Sequence, residues 1–196
     1  MNLDKIYILR HGQTYANLKK IYAKESSLTE TGIQQAFYAS EMVFKYCNEL
    51  GFKNIISSPL SRALKTAEIV NIKLNLPITI IPELREGEIG ELEGEPYSKI
   101  DHNVWQNWVD GGFIANGVES FADSQKRVKI ALEKMSEYED PLIVAHGGTF
   151  FQMTKLLNMT NDEINFENCV LYCIEKTKIG YRIFEFFNCN KDWRLM

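Results

Sequence analysis

Short apolar runs alternate along the chain with longer segments in which apolar residues recur at helical spacing. Six runs are bounded by glycine, proline or polar residues and predict buried strands. These runs cover 6–9, 53–57, 78–81, 141–145, 169–175 and 181–187. The last two flank Lys178-Ile179-Gly180 and predict a hairpin. Since helical segments separate the first four runs, the pattern predicts an α/β fold with a mostly parallel sheet.

Helical spacing predicts a helix after most of these strands. The predicted helices cover 29–50, 61–74, 97–110, 120–138 and 150–158. Thr29 is the expected N-cap of the first helix, and Ser120 with Asp123 resembles a capping box at the start of the fourth. The first helix is expected to cover one face of the sheet with an apolar side. That side comprises Ile33, Ala36, Phe37, Ser40, Phe44 and Cys47.

Length and composition indicate an ordinary globular protein. The 196 residues suffice for one domain over 1–196, with 97–119 a possible small cap or lid. Hydrophobic residues make up 45% and charged residues 24%, as in typical globular domains. The net charge of -4 and the lack of a basic run disfavour nucleic acids and acidic membranes as partners. A small anionic substrate stays compatible, because a local arginine pocket can be positive on an acidic protein.

The cysteines and the lengths of the apolar runs bear on the cellular compartment. The sequence has no signal-peptide pattern and no apolar run long enough to span a bilayer, so we expect a cytoplasmic protein. The four cysteines, Cys47, Cys169, Cys173 and Cys189, are then expected to be thiols. The Cys-x3-Cys spacing at 169–173 is not a common zinc motif and has no histidine near it, so packing is the expected role.

Arginine and histidine residues follow three of the predicted strands. Arg10 and His11 end the first strand, Arg62 comes shortly after the second, and His146 with Gly147 follows the strand at 141–145. Because ligands of open α/β sheets bind at the carboxyl ends of the strands, we expect these residues to share one pocket. A histidine beside guanidinium groups suits a phosphoryl group.

Two candidate phosphate ligands each have a second interpretation. Arg62 lies in the first turn of its predicted helix, where the helix dipole disfavours a cation. It either points to solvent or is held there to bind an anionic ligand. Asn17 lies in 14–27, a polar and turn-rich connection. It is either a surface-loop residue or a second donor to a phosphate oxygen.

The segment 82–94 contains five glutamates and is punctuated by three glycines. A solvated charge run is one interpretation. The other is a tightly turning loop beside a ligand, in which crowded carboxyls raise one another's pKa and supply a general acid. Aromatic residues follow, and they either pack in the core or roof a pocket. They are Tyr97, Trp105, Trp108 and Phe113.

In this order, the motifs resemble the histidine phosphatase superfamily, also called the phosphoglycerate mutase-like family. They are Leu9-Arg10-His11-Gly12-Gln13-Thr14, Asn17, Leu28-Thr29-Glu30-Thr31-Gly32 with Gln35-Ala36, Ser58-Pro59-Leu60-Ser61-Arg62-Ala63 with Thr66-Ala67-Glu68, Leu84-Arg85-Glu86 with Gly90 and Glu93-Gly94, and His146-Gly147-Gly148. Arg-His-Gly alone recurs by chance, whereas the ordered set over 9–148 is highly specific.

The resemblance implies a three-layer α/β/α sandwich with a six-stranded, mostly parallel mixed sheet. It implies that His11 accepts the phosphoryl group as a phosphohistidine and that Glu86 gives a proton to the leaving oxygen. Binding of the phosphoryl group would fall to Arg10, Asn17, Arg62, His146 and Gly147. No metal and no cofactor are implied, because arginines supply the positive charge that Mg²⁺ supplies elsewhere.

The residues themselves support a neutral His11 but leave the identity of the proton donor open. Two neighbouring guanidinium groups should keep the imidazole of His11 neutral, since like charge lowers a histidine pKa. Arg85 would oppose a raised pKa of Glu86 if their side chains met, so Glu83 and Glu88 remain alternative proton donors. His102 belongs to no motif and is expected at the surface.

Departures from the family pattern bear on the reaction. The connection before Leu28 is shorter and poorer in glycine than usual, and 116–120 reads Asn-Gly-Val-Glu-Ser where members often have Pro-Gly-Gly-Glu-Ser. True phosphoglycerate mutases carry an insertion with paired arginines for the substrate carboxylate, whereas 97–119 contains no arginine. The resemblance therefore favours a phosphomonoesterase acting on a small phosphorylated metabolite, with a phosphoglycerate mutase as the alternative.

A third alternative is a non-catalytic phosphate-binding module on the same fold. Such a module would be expected to have lost His11, Glu86 or His146, and all three are present. The physiological substrate and the oligomeric state, for which a homodimer is possible, stay open.

Overall fold

The computed structural model describes residues 4–159 and 164–192, which form an α/β fold around a six-stranded sheet. The strands are β1 (Lys5–Arg10), β2 (Asn54–Ser57), β3 (Ile78–Ile80), β4 (Pro141–Ala145), β5 (Val170–Thr177) and β6 (Gly180–Asn188). Their order in the sheet is β3-β2-β4-β1-β5-β6. Strands β1 to β4 are parallel, whereas β5 pairs antiparallel with both β1 and β6. The predicted mostly parallel mixed sheet is confirmed.

Helices cover both faces of this sheet and complete the three layers. They are α1 (Tyr15–Lys19), α2 (Glu30–Leu50), α3 (Ser61–Val70), α4 (His102–Val109), α5 (Phe121–Met135), α6 (Gly147–Leu156) and α7 (Cys189–Asp192). Apolar residues of α2 and α3 form a core with one face of the sheet, and those of α5 and α6 form a second core with the other face. Short 3-10 turns lie at Pro82–Leu84, Gly90–Leu92 and Tyr97–Lys99.

The two central strands contribute to both cores. In β1, Ile6 and Ile8 pack under α5 and α6, whereas Leu9 packs under α2 and α3. In β4, Ile143 packs under α5 and α6, whereas Val144 packs under α2 and α3. Successive side chains of a strand point to opposite faces, so a strand covered by helices on both sides needs a continuous apolar run. This explains why the runs predicted as strands do not alternate with polar residues.

The predicted apolar face of α2 is partly wrong. Ile33, Phe37 and Phe44 are 37%, 50% and 47% exposed. A narrow stripe of smaller residues is buried instead, and small side chains let a helix pack closely against its neighbours. The stripe comprises Ala36, Ala39, Ser40 and Val43. The side chain of Cys47 lies outside the described residues.

Helix starts follow their capping residues. The N–H of Gly32 donates to Thr29 Oγ1 at 3.0 Å, and the N–H of Asp123 donates to Ser120 Oγ at 3.1 Å, as expected from the sequence. Residues 97–110 are not one helix, because Asp101 caps α4 and the helix begins only at His102. His102 is exposed, as predicted.

Other boundaries differ from the prediction for local reasons. The connection 14–27 contains α1, which Thr14 and Asn17 cap reciprocally. Helix α3 ends at Val70 rather than 74, since the side chain of Asn71 bonds both the N–H and the carbonyl of Leu76 at 2.8 Å. Helix α6 begins directly after His146, and α5 ends at Met135 rather than 138.

Two further findings concern the described cysteines and helices. Cys169, Cys173 and Cys189 are buried free thiols, which fits a packing role. Within 4–159 and 164–192, no helix is long and apolar enough to cross a membrane.

Candidate active site

The carboxyl ends of β1, β2 and β4 meet at one edge of the sheet, because these strands are parallel neighbours. His11 follows β1, and its N–H donates to Ala145 O at 3.1 Å. Ser58 follows β2, and its N–H donates to Val144 O at 3.0 Å. His146 follows β4 directly. The sheet therefore places the strand-end residues side by side, as the sequence predicted.

Two glycines shape the loop that carries His11. A Cβ on Gly12 would overlap the carbonyl oxygen of Gly32, and a Cβ on Gly32 would overlap the carbonyl oxygen of Gln13. The loop after β1 and the first turn of α2 can approach this closely only with glycine at both positions. Gly12 and Gly32, which belong to two different sequence motifs, are thus both explained by this close approach of the backbone.

The imidazole of His11 is buried and held in one tautomer. Its Nδ1 lies 2.8 Å from Gly12 O, which can only accept a hydrogen bond, so Nδ1 carries the proton. Nε2 therefore keeps its lone pair and accepts a hydrogen bond from Arg62 Nε at 3.3 Å. A neutral imidazole with a lone pair at Nε2 can act as a nucleophile.

Burial is the main cause that lowers the pKa of His11 well below its ordinary value of 6.5. The positive charges of Arg10 and Arg62 lower the pKa further, while the hydrogen bond to Gly12 opposes them. The predicted neutral state is thus supported. Only the effect of the arginines was predictable, because burial of the ring depends on packing that the sequence does not show.

Both predicted arginines are held near His11. Arg62 is buried, so the interpretation of a solvent-facing arginine is wrong, and its Nη1 donates to Lys24 O at 2.7 Å. Arg10 Nη1 donates to Phe166 O. The buried Nε of Arg10 has no hydrogen-bond partner among the described residues. A buried donor without a partner is unfavourable, and an anion in the pocket would satisfy it.

His146 is fully buried beside His11, with their ring centroids 5.2 Å apart. Its Nε2 lies 2.7 Å from Ser58 Oγ, whereas Nδ1 has no hydrogen-bond partner in the described part of the chain. Burial, reinforced by the nearby charged groups, lowers the pKa of His146 well below 6.5. His146 is thus a second neutral imidazole next to His11.

The carboxyl group of Glu86 lies at the start of α6. The N–H of Gly148 donates to its Oε2 at 3.1 Å, and the N–H of Gly87 donates to its Oε1 at 3.2 Å. A Cβ on Gly148 would lie 2.5 Å from Glu86 Oε1. Glycine at the third position of the His-Gly-Gly motif therefore lets the carboxyl group of Glu86 lie this close to the first turn of the helix.

The two alternative proton donors are paired with cations. Glu83 lies 2.6 Å from Lys134 Nζ. Glu88 lies 2.9 Å from Lys24 Nζ and 3.4 Å from Arg85 Nη1. Hydrogen bonds from the two lysines are the main cause that lowers the pKa of each carboxyl group. The expectation that crowded glutamates raise one another's pKa is wrong for these two, because each carboxyl group is paired with a cation.

Asn17 lies on α1 and lines the pocket. Its Oδ1 accepts from the N–H of Thr14 at 3.2 Å, and its Nδ2 donates to Tyr97 Oη at 3.2 Å. Because Nδ2 carries two hydrogens, one donor remains for a further acceptor. Its role as a phosphate donor stays a prediction.

An ion pair that the sequence analysis missed holds the acidic loop. Arg127 Nε and Nη2 donate to the two carboxylate oxygens of Glu119 at 2.8 and 2.7 Å, and both side chains are only 9% exposed. Arg127 Nη1 also donates to the carbonyls of Glu83, at 2.8 Å, and Arg85, at 2.6 Å. The pair therefore fixes the backbone immediately before Glu86.

Two further residues near His11 were also missed. Thr66 Oγ1 accepts from the N–H of Gly12 at 3.0 Å, and Asn168 Nδ2 donates to His11 O at 2.7 Å. Thr66 belongs to a quoted motif, so its position carried a signal. Asn168 lies 157 positions from His11 in no motif, and nothing local in the sequence indicates it.

A cavity of about 370 Å³ opens in front of His11. Most of the predicted site residues line it, namely Arg10, His11, Asn17, Arg62 and Glu86. His146 and Gly147 lie next to the lining rather than in it, and Gly148 lines the cavity. The structure thus brings all the predicted residues to one place.

Segment 97–119 forms part of the cavity wall. Tyr97, Trp105 and Trp108 line it, which supports the roof interpretation for these three. Phe113 is 71% exposed and does not line the cavity. Movement of this segment as a lid stays a prediction.

Comparison with known proteins identifies the family of the chain. The model of the family described as "Histidine phosphatase superfamily (branch 1)" matches residues 6–188. The chain belongs to this superfamily. The matched range includes every residue of the site described above, from Arg10 to Asn168.

Curated members of the superfamily that resemble the chain carry names of different reactions. A "Probable phosphoglycerate mutase GpmB" of Erwinia tasmaniensis is 34% identical over 154 residues, 73% of this chain and 69% of that protein. A "Putative phosphoserine phosphatase 2" of Hydrogenobacter thermophilus is 33% identical over 169 residues, 79% of each protein. Membership of the superfamily therefore leaves the reaction open between hydrolysis and transfer.

Solved structures of similar fold support the architecture. A mycobacterial glucosyl-3-phosphoglycerate phosphatase in complex with VO3 has a TM-score of 0.76 at 23% identity, covering 93% of this chain and 98% of that one. An α-ribazole phosphatase from Shigella flexneri has a TM-score of 0.75 at 24% identity, covering 94% and 96%. At these identities the likeness establishes the fold alone.

Proposed function

We propose that this member of the histidine phosphatase superfamily hydrolyses phosphomonoesters of small metabolites through a phosphohistidine at His11. The observation that carries the proposal is the state of His11, a buried neutral imidazole whose Nε2 keeps its lone pair beside Arg62. An exposed histidine would be partly protonated near neutral pH and would lack this fixed tautomer.

In the first half of the reaction, Nε2 of His11 attacks the phosphorus and the bond to the ester oxygen breaks. Glu86 transfers its proton to that leaving oxygen. Arg10 and Arg62 bind the equatorial oxygens and offset the charge that develops on them, as a metal ion does in other phosphoryl transferases. Further donors to the phosphoryl group are Asn17, His146 and the backbone of Gly147.

In the second half, the carboxylate of Glu86 takes a proton from a water molecule, and the oxygen attacks the phosphorus of the phosphohistidine. The N–P bond breaks and inorganic phosphate leaves. His11 returns to its neutral tautomer because Gly12 O still holds the proton on Nδ1. Glu86 ends protonated, ready for the next ester.

The cations around the cavity favour hydrolysis over a mutase reaction. Three arginines line the described cavity, and two of them, Arg10 and Arg62, are assigned to the phosphoryl group. The third, Arg127, is bound through all its nitrogens to Glu119 and two backbone carbonyls. A substrate carboxylate would therefore find no unoccupied cation among the described lining residues, and burying it unpaired is costly.

Trapping the intermediate tests the proposed mechanism. After rapid quench with p-nitrophenyl phosphate, wild type should carry an acid-labile adduct of about 80 Da, and His11→Ala should carry none. His102→Ala is the matched control, because His102 is exposed and outside the site, and it should form the adduct like wild type. Undiminished steady-state turnover by His11→Ala would contradict the mechanism. No turnover of any phosphomonoester by wild type would favour the binding module.

The mutase alternative needs its own measurement. Incubation with 3-phosphoglycerate and 2,3-bisphosphoglycerate, followed by ³¹P NMR, separates 2-phosphoglycerate from inorganic phosphate. We expect phosphate to form faster. If 2-phosphoglycerate formed faster than phosphate, the function would be phosphoryl transfer between phosphoglycerates and not hydrolysis.

A further inference from the structure

Beyond the phosphate end, the cavity in front of His11 is mainly apolar and aromatic. Its volume of about 370 Å³ is within the usual range for small-molecule sites. The side chains that carry the argument are Tyr22, Tyr97, Ile100, Trp105, Trp108 and Phe151. Much of this apolar surface is open to a ligand, since Tyr97 is 38% and Trp105 is 37% exposed.

One wall of the cavity is a pair of tyrosines held by the backbone. The rings of Tyr22 and Tyr97 are 5.0 Å apart at 66°. The N–H of Tyr22 donates to Glu95 O at 2.8 Å, and the N–H of Tyr97 donates to Lys20 O at 2.9 Å. These bonds join 20–22 to 95–97 as two short paired segments, so the wall is already formed without a ligand.

The other wall is a cluster of three aromatic rings. Trp105 lies 4.8 Å from Trp108 and 5.5 Å from Phe151, measured between ring centroids. Trp108 is anchored, because its Nε1 donates to Glu119 O at 3.0 Å, and Glu119 is itself held by Arg127. Flat rings of this kind bind a flat apolar partner by offset or edge-to-face contact.

The carboxylates at the apolar end already have cationic partners. Two carboxylates line the cavity there, Glu88 and Glu119. Glu88 pairs with Lys24 and Arg85, and Glu119 pairs with Arg85 and Arg127. A second anionic group on a substrate would lose its water without gaining a free cation, whereas a neutral apolar group would lose nothing.

We infer that the substrate is the phosphomonoester of a neutral alcohol that carries a flat apolar ring system. This inference rests on the phosphatase function proposed above and names the substrate class for the same site. The phosphoryl group lies at His11 and the arginines, and the ring lies between the tyrosine pair and the tryptophan cluster. Polyhydroxylated or carboxylate-bearing esters fit the second region poorly.

A panel of alkyl phosphates tests the inference, because alkyl esters share similar leaving-group reactivity. The probes are 2-(1-naphthyl)ethyl phosphate, glycerol 1-phosphate and 3-phosphoglycerate, with p-nitrophenyl phosphate run in parallel to report that the enzyme is active. Since one methylene in an apolar pocket changes kcat/KM by about 10-fold or more, the naphthyl ester should exceed glycerol 1-phosphate by at least about 10-fold. It should exceed 3-phosphoglycerate by a larger factor.

A variant on the aromatic wall identifies where the ring binds. Trp105→Ala should lower the ratio of kcat/KM for the naphthyl ester to that for glycerol 1-phosphate about 10-fold. Phe113→Ala is the control on the same segment, because Phe113 is exposed and outside the lining, and it should leave the ratio unchanged. Circular dichroism and thermal unfolding of both variants report whether they fold.

The outcomes separate this inference from the proposed function. Equal or faster hydrolysis of glycerol 1-phosphate or 3-phosphoglycerate, with p-nitrophenyl phosphate turned over, overturns the substrate class and leaves the phosphatase function standing. An unchanged ratio in folded Trp105→Ala overturns the assigned ring site. No hydrolysis of any ester removes the phosphatase function and the inference with it.

Discussion

Nε of Arg62 lies 3.3 Å from Nε2 of His11, although the two residues are 51 positions apart in the chain. His11 follows β1, and Arg62 lies in the first turn of α3. The hydrogen bond joins the proposed nucleophile to a proposed ligand of the phosphoryl group. The same guanidinium therefore orients the lone pair of His11 and lowers the pKa of its imidazole.

Replacing Arg62 by lysine should lower kcat/KM for phosphomonoesters about 10²- to 10³-fold, the usual loss when one donor to transition-state charge is removed. Lysine keeps the charge but loses the planar fork that reaches both His11 and a phosphoryl oxygen. Steady-state kinetics measures the loss. Lys65→Ala on the same helix, where Lys65 forms an exposed pair with Glu68, should stay within about twofold of wild type. A comparable loss in both variants would speak against the assigned role.

His11 should remain unprotonated well below pH 6.5, because burial and two positive charges lower its pKa. In ¹⁵N NMR of labelled protein, Nε2 of His11 should keep the chemical shift of an unprotonated nitrogen at pH 6.5, where a free histidine is half protonated. His102 serves as the exposed reference in the same spectrum. A titration midpoint of His11 at or above 6.5 would refute the neutral nucleophile.

The free energy of unfolding should fall as the pH falls below 6.5. The folded-state pKa of His11 and His146 is lower than the unfolded value, so the unfolded chain binds these protons first. The stability is therefore fully present above pH 6.5 and is lost below it, at up to about 1.4 kcal/mol per pH unit for each histidine.

Urea unfolding at several pH values between 7.5 and 5.0 measures this slope. Carboxyl groups with a lowered pKa, such as Glu83 and Glu88, lose their contribution only as the pH falls below their ordinary value of 4.5. The window above pH 5 therefore isolates the histidines. In His146→Gln the slope should be shallower than in wild type, and an equal slope would show that His146 is protonated in the folded protein.

Gly148→Ala should impair catalysis through Glu86. The new Cβ would lie 2.5 Å from Glu86 Oε1, so the carboxyl group must move from the start of α6. Loss of a positioned proton donor costs about 10²- to 10⁴-fold in kcat. Kinetics of a double-mutant cycle with Glu86→Gln tests the cause, because the double variant should be no slower than Glu86→Gln alone. Additive losses would mean that Gly148 acts independently of Glu86.

Arg127→Ala should destabilise the fold by about 3–5 kcal/mol, since it leaves the buried carboxylate of Glu119 with one partner fewer. Arg85→Ala is the matched comparison. Arg85 also bonds Glu119, at 3.1 Å, but it is 31% exposed, so its loss should cost about 1 kcal/mol or less. Urea denaturation measures both values. Equal destabilisation would show that the buried Arg127–Glu119 pair contributes no more to stability than the more exposed Arg85–Glu119 pair.

Local sequence signals were sufficient for the framework of the site. Apolar runs ending in Arg10-His11 or His146-Gly147 predicted strands whose carboxyl ends converge, because neighbouring parallel strands all end at one edge of a sheet. The glycines at 12 and 148 were visible in the motifs. Their reason, a close approach of the backbone or of Glu86, became clear only from the fold.

Long-range packing decided the rest. The burial of Arg62, the pairing of Glu119 with Arg127 and the bond from Asn168 to His11 all join segments that are distant in the chain or belong to different elements. The exposed position of Phe37 on α2 has the same origin. Helical periodicity shows that a helix has an apolar side, but how much of that side is covered depends on its neighbours. The pattern of strand ends therefore determined which residues meet, and the packing of helices on the sheet determined their charge, tautomer and partners.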